Sequence, residues 1–183
     1  GVAGGIRLRV PRGNLVRPTL ARARAGLFDS LGPWTGRTVV DLFAGSGAFA
    51  CEALSRGGTE AHCFEVSPLV RRVLSENAAA VSRAGVAGKL TIHATSAARA
   101  SSRLPELAGR EMTLFADPPH AEFAVAVAEL LGGADFAVWA RRAIFIWEMP
   151  PPDDCPASFP PSGPWRESRR CRFAGVDFRI LIQ

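Results

Sequence analysis

The feature that most constrains the fold is a strand, a glycine-containing loop and a helix in direct succession. Residues 37–43 have the pattern of a short buried strand, Gly45 and Gly47 mark the loop, and residues 48–55 have a helical pattern. Glycines let the backbone approach a ligand, and the N-terminus of the following helix supplies N–H groups with partial positive charge. A second strand, residues 61–64, ends at Glu65, whose carboxylate is placed to bind ribose hydroxyls. This unit predicts a nucleoside-containing cofactor.

Two classes of cofactor fit this unit. Residues 45–50 satisfy the G-x-G-x-x-(G/A) fingerprint of dinucleotide-binding proteins, so an NAD-dependent oxidoreductase is one interpretation. Asp41, on the strand before the loop, favours the other, because a carboxylate there repels a pyrophosphate and attracts a cationic group. S-adenosylmethionine carries an ammonium and a sulfonium group and donates a methyl group. We therefore expect a methyltransferase rather than a dehydrogenase.

A second motif indicates what receives the methyl group. Asp117, Pro118, Pro119 and His120 follow the apolar residues 112–116, which predict a buried strand. Proline removes N–H donors and fixes φ, so the turn presents carbonyl oxygens and the Asp117 carboxylate as acceptors. Two acceptors that hold an exocyclic amine offset the positive charge developing on its nitrogen, and His120 offers a flat ring for base stacking. The motif predicts methyl transfer to a nucleobase amine; the alternative is an ordinary strand-terminating turn.

Strands and helices alternate along the rest of the chain. The predicted helices are residues 18–31, 68–85, 97–107 and 122–131, and the further strands are 89–93, 112–116 and 144–147, with an antiparallel hairpin at 169–173 and 176–182. Ser67 is the predicted N-cap of the second helix, and Leu69, Val73, Leu74 and Ala78 its buried stripe. This order predicts an α/β fold with a mostly parallel seven-stranded sheet. In such sheets ligands bind beyond the carboxyl ends of the strands, where three acids converge: Asp41, Glu65 and Asp117.

Positive charge is concentrated at the ends of the chain. The net charge is +5, yet residues 1–37 alone carry +6 and residues 165–183 carry +3. The N-terminal arginines predict a phosphate-binding footprint, and the alternative is a merely solvated terminus. We expect residues 1–36 to form a basic arm and helix packed on a single catalytic domain, residues 37–183. The arginines predicted to contact RNA are Arg9, Arg12, Arg17 and Arg22.

The cysteines and histidines do not indicate a metal site. The four cysteines show no C-x-x-C spacing, so reduced thiols, with Cys51 and Cys63 in the core, are expected. His62 and His93 lie in strand patterns and are predicted to be structural. No signal peptide is visible, and the long apolar stretch 136–149 is interrupted by arginines. These features predict a soluble, cytoplasmic, monomeric protein without a metal.

Taken together, the motifs resemble the RsmD family, bacterial methyltransferases that modify the N2 amine of a guanine in 16S ribosomal RNA. The matching segments are residues 17–19, 27–28, 41–47, 52–57, 64–65, 117–119 and 147–148, with Asn77 between them. The resemblance implies a Rossmann-like S-adenosylmethionine-dependent methyltransferase fold, with ribosomal RNA or the assembling small subunit as partner. It implies catalytic roles for residues 117–120. The cofactor-binding residues that it implies are Thr19, Asp41, Phe43, Gly45, Gly47, Glu65, Val66, Ser96 and Ala97.

Three departures from the family pattern keep other functions open. His120 stands where the family has tyrosine or phenylalanine, Ser96 stands where an acid is common near the adenine, and residues 149–165 hold seven of the fourteen prolines. A DNA adenine-N6 methyltransferase uses a similar acid-Pro-Pro-aromatic turn, but normally carries an additional recognition region. A non-catalytic RNA-binding relative is the second alternative.

Overall fold

The computed structural model describes residues 1–11, 21–151, 154, 159–161 and 163–183. Within them, seven strands form one sheet in the order β3-β2-β1-β4-β5-β7-β6. Strands β1 to β5 are parallel, while β7 runs antiparallel to β5 and β6 antiparallel to β7. The predicted α/β fold, with its mostly parallel seven-stranded sheet and C-terminal hairpin, is confirmed. The strands are β1 (Thr38–Asp41), β2 (Glu60–Phe64), β3 (Lys89–His93), β4 (Met112–Ala116), β5 (Ala143–Glu148), β6 (Arg166–Phe173) and β7 (Val176–Ile182).

The described residues also form six α-helices, which cover the two faces of this sheet. They are α1 (Ala21–Ser30), α2 (Ala48–Ser55), α3 (Pro68–Arg83), α4 (Ala100–Arg103), α5 (Phe123–Leu131) and α6 (Ala134–Trp139). Because side chains alternate across a strand, neighbouring strand residues enter different cores. Val39 packs with the helices α1, α2 and α3 on one face, and Val40 packs with α4, α5 and α6 on the other. The centre of the sheet is therefore buried on both faces, as in other parallel sheets.

The predicted helix at residues 97–107 is wrong as a single element. The chain instead forms a 3₁₀ turn (Ala97–Arg99), the short α4 and a second 3₁₀ turn (Pro105–Leu107). Pro105 has no N–H and restricts the residue before it, and Leu104 adopts φ −128° and ψ 54°, outside the helical region. Helix α6 was not predicted; it shares the apolar stretch 136–149 with strand β5, and Arg141 and Arg142, which interrupt that stretch, lie between the two elements.

The buried stripe of α3 also differs from the prediction. Leu69 is 71% exposed, and the side chains that face the core are Val70, Leu74, Asn77 and Val81. The spacing is still helical, but the stripe is rotated because a polar residue, Asn77, occupies an inward position. The predicted N-cap is confirmed, since the Ser67 hydroxyl accepts a hydrogen bond from the Val70 N–H.

The N-terminal part of the chain lies on the same face as α2 and α3. Residues 1–11, here called the N-terminal segment, begin at the end of α2, where the Val2 N–H donates to the Ser55 carbonyl at 2.7 Å. The segment reaches α3 at Arg9, and Leu8 packs against the core of this face. Helix α1 packs on β6, where the Arg169 guanidinium donates to the Ser30 carbonyl.

Candidate cofactor and target-base site

Three acids lie at the carboxyl ends of neighbouring strands. Asp41 is the last residue of β1, Glu65 follows β2 directly, and Asp117 follows β4 directly. Strand β1 lies between β2 and β4, so the backbones carrying the outer two acids are about 10 Å apart, two strand spacings. A parallel sheet thus brings together side chains that are far apart in sequence, at the edge where ligands of such folds bind.

The loop between β1 and α2, residues 42–47 and here called the cofactor loop, contains two glycines with left-handed backbones. Gly45 has φ 51° and Gly47 has φ 78°, and the Gly47 N–H donates to the Ala44 carbonyl at 2.6 Å. A Cβ at Gly47 would stand 2.1 Å from Cδ1 of Leu74, which is less than any real contact. Glycine is therefore required here both by the left-handed backbone and by the closeness of α3. The loop leads into the N-terminus of α2, where backbone N–H groups are unpaired within the helix.

Asp41 is the buried charge of the site. Its side chain is 2% exposed, and its Oδ2 atom has no hydrogen-bond partner among the described residues. Burial raises the pKa of Asp41 from 3.8 to about 7; hydrogen bonds from the Ala50 and Phe43 backbones lower the pKa, and the charge of Glu65 raises it. A buried carboxylate with an unpaired oxygen is costly unless a cation or donor approaches it. The unpaired Oδ2 of Asp41 and the cofactor loop together fit the ammonium group of a methionine moiety.

Glu65 fixes the other side of the loop. Its carboxylate accepts the Gly45 N–H at 3.1 Å and the Ser67 N–H at 2.7 Å, one on each oxygen. A carboxylate has about four lone-pair positions, so further donors can still be accepted. The arrangement holds Glu65 beside the loop, in the position where an acid binds ribose hydroxyls in such folds.

The Asp-Pro-Pro-His turn leaves the sheet at β4. Asp117 is partly buried and Pro118 is buried, while Pro119 and His120 are exposed. The Pro119 carbonyl accepts the Glu122 N–H at 2.8 Å, which starts a 3₁₀ turn (His120–Glu122) ahead of α5. That carbonyl is therefore already engaged, although the sequence predicted every carbonyl of the turn to face outward. The target-binding acceptors that the prediction retains are the Asp117 carboxylate and the Pro118 carbonyl.

The remaining predicted cofactor residues lie at the ends of β1, β2 and β3. Val66 is 64% exposed beside Glu65, and Phe43 is partly buried against the core. Ala97 is buried, and the Ser96 hydroxyl accepts the Ala98 N–H at 3.3 Å as the cap of its 3₁₀ turn. Thr19 lies outside the described residues.

The predicted RNA-binding arginines are only partly described. Arg9 and Arg22 are exposed, whereas Arg12 and Arg17 lie outside the described residues. The Arg9 guanidinium forms an ion pair with Glu76 at 2.6 Å. Asn77 had no predicted role, although it is among the residues that match the family pattern. Its side chain contacts both Arg9 and the loop after β1.

Other predicted features can be compared directly. Cys51 and Cys63 are buried free thiols. The Nδ1 atom of His62 lies 3.1 Å from the Nε2 atom of His93. Among the described residues, no group of histidine, cysteine and acidic side chains is arranged to hold a metal ion. None of the described helices is long and apolar enough to span a bilayer.

Comparison with known proteins gives a consistent set of relatives. Ribosomal RNA small subunit methyltransferase D of Escherichia coli K12 is 35% identical over 116 residues, which are 63% of this chain and 55% of that protein. A Bacillus subtilis protein described as the putative rRNA methyltransferase YlbH is 40% identical over 67 residues, 36% of this chain and 35% of that protein. The aligned region thus spans about half or less of the curated relatives.

Solved structures match over nearly the whole chain. A putative methyltransferase of Escherichia coli, yhhF, has a TM-score of 0.68 and 27% identity, covering 97% of this chain and 91% of that one. A hypothetical protein of Thermus thermophilus has a TM-score of 0.67 and 27% identity, covering 100% and 96%. An RNA methyltransferase of Salinibacter ruber in complex with S-adenosylhomocysteine shares the fold at 14% identity and a TM-score of 0.55, covering 90% and 92%.

The family model described as conserved hypothetical protein 95 matches residues 1–146. That range contains the glycine loop, all three acids and the Asp-Pro-Pro-His turn. The chain therefore belongs to this family, which is the RsmD family that its motifs resemble.

Proposed function

We propose that this chain is an S-adenosylmethionine-dependent methyltransferase that methylates the exocyclic N2 amine of a guanine in 16S ribosomal RNA. The observation that carries the proposal is the placement of Asp41, Glu65 and Asp117 on adjacent strand ends around the glycine loop. The name of the Escherichia coli relative, a small-subunit ribosomal RNA methyltransferase, supports the substrate class. The assembling small subunit or its RNA is the proposed partner.

Each acid has a separate task in this proposal. Asp41 receives the cofactor's ammonium group at its unpaired Oδ2, which turns a costly buried carboxylate into a paired one. Glu65 accepts the ribose hydroxyls while it holds the Gly45 N–H. Val66, Ser96 and Ala97 border the adenine, and the cofactor supplies an electrophilic methyl group when bound.

The turn after β4 acts on the target base. The Asp117 carboxylate and the Pro118 carbonyl accept the two N–H groups of the amine, which keeps its nitrogen lone pair directed at the methyl carbon. When the bound cofactor supplies its methyl group, the negative Asp117 would stabilise the positive charge that develops on the amine nitrogen. The amine then loses a proton to water. His120 provides the face on which the unstacked base lies.

Cofactor binding is the first test. Isothermal calorimetry should show binding of S-adenosylmethionine or S-adenosylhomocysteine but not of NAD. Glu65→Ala should lose charge-assisted hydrogen bonds worth about 1.5–3 kcal/mol, roughly ten- to a hundredfold in affinity. Glu60→Ala, which removes the same side chain from the opposite end of β2, is the matched control and should retain affinity. Binding of NAD instead would establish the oxidoreductase alternative.

Methyl transfer to RNA is the second test. Mass mapping of modified nucleotides in 16S ribosomal RNA, from cells with and without the gene, should reveal one gene-dependent N2-methylguanosine. Asp117→Asn keeps the shape but removes the charge, so the transfer rate should fall by roughly 10²–10³ while cofactor affinity is preserved. Methylation of DNA adenine, or cofactor binding without methylation of any RNA, would select one of the two alternatives.

A further inference from the structure

Asn77 is a buried polar residue in the middle of α3 that joins two separate segments of the chain. It is 2% exposed, and its Nδ2 donates to the Ser46 carbonyl at 2.8 Å and to the Arg9 carbonyl at 2.9 Å. Its Oδ1 accepts the Arg9 N–H at 2.7 Å. The side chain thus uses both of its donors and its acceptor oxygen. An apolar residue at this position would leave buried backbone groups unsatisfied.

The two segments that Asn77 joins have different predicted tasks. Ser46 lies between the two glycines of the cofactor loop, next to Gly45, whose N–H is held by Glu65. Arg9 lies near the end of the N-terminal segment, immediately before the arginine-bearing residues 12–20. A continuous series of hydrogen bonds therefore runs from Arg9 through Asn77 to the loop at which the cofactor is proposed to bind.

We propose that Asn77 is a positioning residue that couples cofactor binding to RNA binding. A ligand that fixes the cofactor loop also fixes the Ser46 carbonyl and, through Asn77, the backbone of Arg9. RNA then binds an N-terminal segment that is already ordered, so its binding loses less conformational entropy. Each ligand therefore strengthens the binding of the other. This proposal rests on the proposed function, because it requires both a cofactor at the loop and RNA at the N-terminal arginines.

Ser55 provides a control, because it holds the N-terminal segment without contacting the cofactor loop. The Ser55 hydroxyl accepts the Ala3 N–H at 2.9 Å, so it holds the same N-terminal segment by one hydrogen bond. Ser55 is the last residue of α2, at the end of that helix remote from the cofactor loop. Ser55→Ala therefore loosens the segment without changing its connection to Ser46.

A second pair of variants leaves Asn77 in place. Arg9→Ala removes the guanidinium but keeps the backbone N–H, whereas Arg9→Pro removes both the guanidinium and that N–H. Arg9 is exposed, so both proteins should fold even if Asn77→Ala does not. The comparison of Arg9→Pro with Arg9→Ala tests the hydrogen bond from the N–H of residue 9 to Asn77, while the bond from Asn77 to the carbonyl of residue 9 remains in both variants.

The experiment measures RNA affinity with and without saturating S-adenosylhomocysteine. The parent, Ser55→Ala and Arg9→Ala should each bind RNA more tightly with the cofactor product present, by about tenfold. In Asn77→Ala this ratio should fall to nearly one, and in Arg9→Pro, which keeps the bond from Asn77 to the carbonyl of residue 9, it should be clearly smaller than in Arg9→Ala. Equal ratios in Arg9→Pro and Arg9→Ala, or no tightening in the parent, would overturn the proposal.

A second measurement needs no RNA. Hydrogen exchange at the Arg9 amide, which donates to Asn77, should slow when S-adenosylhomocysteine is added to the parent protein. The same addition should leave this exchange unchanged in Asn77→Ala. If the product binds but the Arg9 amide does not respond, the coupling is wrong and the proposed function stands. If the parent binds no cofactor product, the proposed function itself fails.

Discussion

Asp41 links the electrostatics of the site to pH. Its pKa is raised from 3.8 to about 7, so between these values the folded protein holds a proton that the unfolded chain has released. Folding stability from this group is fully present below about pH 3.8 and is lost as pH rises to about 7, a loss on the order of 4 kcal/mol. A cation bound at Oδ2 restores the stability that is lost when Asp41 ionises. Cofactor binding therefore favours the ionised form of Asp41, and the ionised form binds the cofactor more tightly.

We therefore predict opposite effects of Asp41→Asn on stability and on binding. The variant carries no buried charge, so above about pH 7 it should unfold at higher urea concentration than the parent does without cofactor. Calorimetry of the parent should show affinity for S-adenosylhomocysteine that increases with pH up to about 7 and then levels off. The variant should bind weakly at every pH. A pH-independent affinity in the parent would remove Asp41 from the site.

His120 is one of the positions at which the chain departs from the family pattern, and its role can be tested by replacement. If it serves as a stacking surface worth about 1–3 kcal/mol, His120→Tyr should retain methyl transfer and His120→Ala should lose much of it. Single-turnover rates on RNA, with cofactor affinity as the control, measure this. An inactive tyrosine variant with intact cofactor binding would instead indicate proton transfer by the imidazole, whose Nδ1 lies 4.0 Å from Asp154.

The acids of the site could be predicted from sequence, but their connections could not. Asp41, Glu65 and Asp117 follow recognisable strands, and parallel strands bring their carboxyl ends to one edge. The hydrogen bonds of Asn77 depend on which side of α3 faces the loop after β1. The hydrophobic pattern of α3 predicted that side wrongly, because it included Leu69 and left out a polar residue, Asn77. Likewise, nothing in the two prolines reveals that the Pro119 carbonyl is already bonded.

At the scale of elements, the cofactor loop is fixed by the approach of α3 to Gly47. Gly47→Ala must adopt a left-handed backbone, and its Cβ would stand 2.1 Å from Cδ1 of the buried Leu74 unless that side chain shifts, so it should destabilise the protein and weaken cofactor binding. Gly85→Ala is the matched control: its φ is +88°, but nothing lies within 4 Å of its Cβ. The control should cost only the backbone strain of about 1–2 kcal/mol. Urea unfolding should separate the two, and equal losses would contradict the contact with Leu74.

The elements themselves were predictable where the local pattern was unambiguous. Strands β3 and β4 and the second strand of the hairpin have the predicted bounds. Strand β4 is a nearly continuous apolar run, and in β3 and β7 β-branched and other apolar residues are interspersed with polar ones, as is typical of strands. The helix at 97–107 failed at Pro105, where the proline's effect on Leu104 outweighed the helical periodicity. Helix α6 was missed because its six residues are too short for a clear helical period, although Arg141 and Arg142 mark the boundary between α6 and β5.

At the scale of the whole molecule, the sheet separates the two predicted binding tasks. The three acids occupy the carboxyl ends of central strands, whereas the N-terminal segment and α1 pack on one face of the sheet, against α2, α3 and β6. The described residues of the N-terminal segment and α1 carry four arginines, Arg7, Arg9, Arg22 and Arg24, and one acid, Asp29, so they add a charge of +3 to that face. Under the proposed function, an RNA that offers one base to Asp117 is expected to place its phosphates near the basic residues of the N-terminal segment and α1.

The last prediction tests this basic surface by its salt dependence. Replacing Arg9, Arg12 and Arg22 by alanine should weaken RNA binding and flatten its dependence on salt, by about 0.7–0.9 in log–log slope for each lost phosphate contact. Cofactor affinity without RNA should not change, because Arg9→Ala keeps the backbone bonds to Asn77. The matched control replaces three exposed arginines that precede β4 and β5, at the strand ends remote from the three acids: Arg110, Arg141 and Arg142. It removes the same net charge, so an equal loss of slope in both triple variants would mean that RNA responds only to total charge and that the N-terminal arginines form no specific surface.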